Sequence, residues 1–122
     1  MSVQAAIASL HVDEPRDWAE IAALYAELSQ LTGSPVVELN RAIAIAEVDG
    51  PEAGLRIVDR LGLDDFRYLH STRAELLRRL GRTDEAHEAY RRARNLTDDG
   101  VERRFLERRL TELAVTAGAS RP

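Results

Sequence analysis

Arg41 and Arg73 are the residues whose type and spacing best suit recognition chemistry. They lie 32 residues apart, each followed by an alanine, in segments that align with one another. A guanidinium is a planar fork of donors, so two of them on one face can clamp an acidic peptide or an anion. Each can instead anchor its own hairpin through a nearby acid, Glu38 or Glu75, or a carbonyl, and both uses stay open at this level. Asn40 can join either network. His70, one helical turn before Arg73, is either a third group in an anion pocket or a half-buried packing residue. Trp18 and Tyr25, about two turns apart, read as core more readily than as a peptide platform.

Chemistry of other kinds finds little to work with. His11, His70 and His87 are scattered, and no pair has metal-ligand spacing such as i, i+4. There is no cysteine, which excludes disulfides, thiolate catalysis and Cys-based zinc sites. Gly50-Pro51 and Gly54 punctuate helices and do not form a phosphate-binding loop. Acid pairs such as Asp13-Glu14 and Asp64-Asp65 stand where helices begin, where the dipole favours them. No catalytic constellation, metal site or cofactor motif emerges, so the expectation is a non-enzymatic domain without a cofactor.

The elements that must position these residues follow from punctuation. Ser2 can cap a first helix through about His11. Asp17 with Glu20 is a capping box opening a second helix, Trp18 to about Thr32, that Gly33 ends. Ser34-Pro35 starts a third, to about Val48, and Gly50-Pro51 a short fourth that stops near Gly62. A fifth runs from about Asp65 to Leu80. Thr83 is expected to cap a sixth, to about Leu96, and Asp99 with Glu102 to open a seventh, to about Ala114. Acids precede Arg by four at Glu75 and Arg79, and at Glu88 and Arg92, as on a solvated helix face. The apolar spacing is helical throughout, so the chain is read as all-α, a single domain over residues 1–117 with a disordered tail at 118–122.

Within Arg73–Leu96, the residues Ala74, Leu77, Gly81, Ala86, Tyr90 and Ala93 stand where a tetratricopeptide hairpin places small, large, Gly, small, aromatic and small residues. Alanines let two helices approach, Tyr90 fills the gap beside them, and Gly81 supplies a left-handed turn. LNRAIAIAEVDGPEAGLRIV repeats this segment about 32 residues earlier. Arg41-Ala42 matches Arg73-Ala74 and Ile45 matches Leu77. After a one-residue slip at the turn, Ala53 matches Ala86 and Ile57 matches Tyr90. Two hairpins bury too little alone. The expected fold is therefore a tetratricopeptide-like right-handed superhelix of about seven helices, the first two forming a divergent pair and the last capping the open end. In such an array the helices bearing Arg41 and Arg73 line the concave face.

Charge is unevenly placed. All 17 basic residues are Arg, in keeping with codon bias in a GC-rich genome. Residues 1–72 hold 5 Arg against 12 acids, and residues 73–122 hold 12 Arg against 9 acids. Such a dipolar chain suits docking against something charged, whereas its net charge of −4 makes it a poor stand-alone nucleic-acid binder. No run is apolar enough to cross a bilayer, and no basic, apolar signal segment opens the chain.

The strings VQAAIASLH, DWAEIAALYAELSQLTGSPVVELNRAIAIAEVDGPEAGL, LHSTRAELLRRLGRTDEAHEAYRRA and ERRFLERRL together resemble one known bacterial domain. It is the C-terminal, tetratricopeptide-like extension of a group of extracytoplasmic-function (ECF) RNA polymerase sigma factors. The resemblance runs from Val3 to about Leu113, and the IAALY, SPVVELNRA and GPEAGL blocks are its most specific parts. It implies a cytoplasmic role in bacterial transcription initiation, through contacts with sigma regions of the same polypeptide, RNA polymerase or a signalling protein. The promoter- and polymerase-binding regions of such factors are absent from these residues, so the chain is expected to be an excised C-terminal domain that meets promoter DNA only through the full-length protein.

Overall fold

A computed structural model describes residues 17–120, with side chains described through residue 115. The expected first helix, with Ser2 and His11, lies outside the described residues, as do residues 121–122. Six helices occupy the described part, without a strand: α1 (Trp18–Thr32), α2 (Pro35–Asp49), α3 (Pro51–Val58), α4 (Arg67–Arg79), α5 (Thr83–Leu96) and α6 (Gly100–Ser120). The all-α reading holds. Residues 118–120 continue α6, where the sequence suggests a frayed tail.

Local chemistry sets most helix ends. The Asp17 carboxylate accepts the Glu20 N–H at 3.0 Å, and Gly33, at φ 63°, closes α1. The Ser34 hydroxyl accepts the Val37 N–H ahead of Pro35 at the first position of α2. Gly50, at φ 96°, ends α2 and leads into Pro51. At the end of α4 the N–H of Gly81 bonds Arg78 O and that of Arg82 bonds Leu77 O, both at 3.0 Å. This crossed pair requires a left-handed residue, and Gly81 has φ 74°. Asp99 accepts the N–H groups of Val101 and Glu102 at 2.9 and 3.4 Å and starts α6.

Three local expectations need correction. The cap of α5 is Arg82, not Thr83, and it makes no side-chain capping bond because a guanidinium only donates; it forks instead onto Glu85 at 2.7 and 2.9 Å. The capping box at Asp99 does not close, since the Glu102 carboxylate accepts Arg67 at 3.2 Å. α4 begins two residues later than Asp65, because Leu63–Phe66 forms a turn with the Phe66 N–H on Leu63 O.

The contacts group into two compact units with the boundary between Leu61 and Gly62, a finer division than the single domain read from length. In the first, α2 packs on α1 and α3. Ile21, Ala22 and Ala44 are buried there, with Trp18, Leu24, Tyr25 and Ile45 packed against them, so the aromatic pair of α1 belongs to the core. In the second, α5 packs on α4 and α6. Ala74, Leu77, Ala86, Tyr90, Ala93 and Leu106 are all 0% exposed. Small residues at Ala74, Ala86 and Ala93 admit the close approach that the Tyr90 ring then fills.

Burial corrects the register of the repeat. A constant spacing of 32 pairs Val37 with Leu69, Ala42 with Ala74, Ala44 with Leu76, Gly54 with Ala86, Ile57 with Ala89 and Val58 with Tyr90, and every one of these is buried. Ala53, matched to Ala86 by the one-residue slip, is only half-buried. The slip sets the second helices 33 apart, whereas a constant 32 carries the buried positions through the turn.

Candidate functional site

The two arginines singled out by the repeat have different partners. In the first unit, Arg41 Nε and Nη2 donate to Glu38 Oε1 and Oε2 at 2.8 and 3.1 Å, a closed fork between residues three apart on α2. The bond from Arg41 holds the Glu38 carboxyl below its ordinary range and, reciprocally, Glu38 pushes the Arg41 guanidinium up. Asn40 beside them is half-buried. In the second unit, Arg73 Nη2 lies 3.9 Å from Glu85 Oε2 on α5, so the expected partner Glu75 is replaced by Glu85.

His70 is 5% exposed, and its Nε2 sits 2.6 Å from the Asp64 carbonyl oxygen. A carbonyl only accepts, so the ring donates there and pins the turn before α4 onto that helix. His70 is thus a buried structural group, one turn from Arg73 but engaged elsewhere.

Glu75 is the polar centre that sequence reasoning missed. Its Oε1 accepts the Tyr90 hydroxyl of α5 at 2.7 Å and Arg109 Nε of α6 at 3.1 Å. Its Oε2 accepts Arg78 Nη2 and Nε at 2.8 and 3.3 Å. One carboxylate therefore ties together all three helices of the unit. Burial alone would raise the Glu75 carboxyl, but the bonds from Tyr90 and Arg78, with the Arg109 charge, outweigh it and leave the group below its ordinary value. The Tyr90 phenol is pushed far up, first by burial and then by the Glu75 carboxylate it bonds. Sequence spacing pointed Glu75 to Arg79 and Glu88 to Arg92. The structure takes the residue one nearer in each case, with Arg91 3.8 Å from Glu88.

Around this centre, two arginines bridge α4 and α6. Arg67 bonds Glu102 and lies 4.6 Å from the centre of the Tyr68 ring, and Arg109 lies 5.2 Å from that of Phe105. Phe66 meets Tyr68 edge-on at 5.3 Å. Tyr68 and Phe105 remain 45% and 40% exposed, an aromatic and arginine-rich surface of the composition that protein interfaces favour. Hollows at Gly81–Glu85 and Gly62–Phe66 are each lined by five consecutive residues, the first by a turn with the opening of α5 and the second by the turn before α4. Among the described residues no group of three or more acids or histidines could hold a metal ion, and no helix is long and apolar enough to cross a membrane.

No family model and no solved structure matches the chain. It is 44% identical over 118 residues to an uncharacterised protein of Rhizobium meliloti, an alignment that takes in 92% of this chain. The chain spans 28% of the length of that relative.

Proposed function

We propose that this chain is a tetratricopeptide-like interaction domain of the ECF sigma-factor type. It modulates transcription initiation in the bacterial cytoplasm by binding sigma regions of a longer polypeptide, RNA polymerase or a signalling protein, and it performs no catalysis. The observation that carries the repeat reading is the burial pattern recurring at a spacing of 32, down to the small residues Gly54 and Ala86 at the close approach. Helix pairs of this kind stack into a right-handed superhelix whose inner face takes a peptide or a neighbouring domain. The sigma assignment rests on the residue blocks quoted above. A relative several times longer than this chain suits a domain that works inside a larger polypeptide.

The second reading, an anion sensor lined by Arg41, Arg73 and His70, is less favoured, because Glu38, Glu85 and the Asp64 carbonyl already engage those groups. Transcription by a full-length polypeptide carrying this domain tests the first reading. Deleting the domain should change output while core-polymerase binding is retained, and unchanged output overturns the proposal. The isolated chain, at net charge −4, should leave no promoter footprint at physiological salt.

A further inference from the structure

α6 carries two seams. Leu106, Leu110 and Leu113 are buried, at 0%, 8% and 5% exposure. On the opposite side, at steps of three and four, one stripe holds Val101, Arg104, Phe105, Arg108, Glu112 and Val115. All six are exposed, Val101 at 69% and Val115 at 67%. Apart from Phe105, which stands opposite Thr111, the stripe is complementary to its own reverse. Counting outwards from Arg108, Arg104 stands opposite Glu112 and Val101 opposite Val115, and on the flank Glu107 stands opposite Arg109.

We propose that this face of α6 is a self-association surface, on which two copies of the chain pack their last helices antiparallel about a two-fold axis at Arg108. In that arrangement each Arg104 meets Glu112 of the second copy, whose carboxylate also holds Arg109 of its own helix at 3.0 Å, and each Val101 meets Val115 of the second copy. A different partner protein would require no such symmetry in the charge pattern, which is why a second copy is the occupant. Arg108 meets its own counterpart at the axis, a like-charge contact eased by laying its stem along the helix and sending the head to water. One helix against one helix is a small interface, so the dimer is weak and concentration-dependent.

Sedimentation equilibrium of the 122-residue chain across a concentration series tests this. Arg104→Glu alone and Glu112→Arg alone each place like charges opposite one another twice and should weaken self-association about tenfold. Mixing these two variants makes every pair complementary again, so the one-to-one mixture should associate as the wild type does. Arg108→Leu should strengthen the dimer. A wild type that stays monomeric at all concentrations overturns the proposal. So does a dimer indifferent to either charge variant, or a mixture no tighter than its components. Should a charge variant lose helicity by circular dichroism, Arg108→Leu decides alone: tighter association supports the surface, and unchanged or weaker association overturns it.

Discussion

Tyr90 is the largest of the fully buried side chains and also the hydroxyl donor to Glu75, so its two roles separate by substitution. Tyr90→Ala should cost about 3–5 kcal/mol in a denaturant melt, since it removes a ring from a tight helix interface. Tyr90→Phe keeps the ring and removes one donor from a partly buried carboxylate, at about 1–2 kcal/mol. Acidification reads the carboxylate directly. The folded Glu75 holds its proton more weakly than the unfolded chain does, so its contribution is full above the ordinary value of 4.5 and is lost as pH falls through the lower folded value. Melting temperatures of wild type and Glu75→Gln should therefore converge as pH falls from neutral through the lowered folded value. A constant gap would mean that Glu75 titrates alike in both states. The packing role of Tyr90 was legible in the sequence, but the Glu75 network was not. Tyr90 and Arg109 stand 15 and 34 residues from Glu75, so no local spacing links them, and the helical rule pointed to Arg79. Arg41 with Glu38 was legible because both lie within one helical turn.

At the scale of elements, the helix ends carry their own chemistry. Gly81→Ala should destabilise by about 1–2 kcal/mol, the cost of a left-handed non-glycine residue. A Cβ there meets nothing within 4 Å, so the loss is conformational and not steric. Asp99→Ala should cost about 1 kcal/mol by releasing the first N–H groups of α6. Denaturant midpoints check both. Caps are short-range, which is why Asp17, Gly33, Ser34-Pro35, Gly50-Pro51 and Asp99 placed five helix ends from sequence. Thr83 failed because a threonine suits both the cap and the first helical position, and here it takes the latter. Arg82 took the cap while its side chain turned to Glu85. The repeat register failed because Ala53 and Gly54 are both small enough to match Ala86, and only burial reports which of them faces inward.

Across the whole molecule, charge reversal separates scaffold from surface. Arg41 and Arg73 are each ion-paired with side chains 24% and 30% exposed, so Arg41→Glu with Arg73→Glu should cost only about 1 kcal/mol per pair and leave the helices intact by circular dichroism. If those arginines face a partner, the folded double variant will also fail in transcription. Wild-type output from it would remove both from the interface. The all-helical class was legible because every apolar run keeps a spacing of three and four. The division between Leu61 and Gly62 was not, since contact density leaves no local signature. The shared carboxylate has a further consequence within the second unit. α4, α5 and α6 all lose a bond when Glu75 lets go, so none can open as an independent segment. Their slowest-exchanging backbone amides should trade hydrogen for deuterium at one common free energy, as a single cooperative block in which Glu75 is the shared fastening.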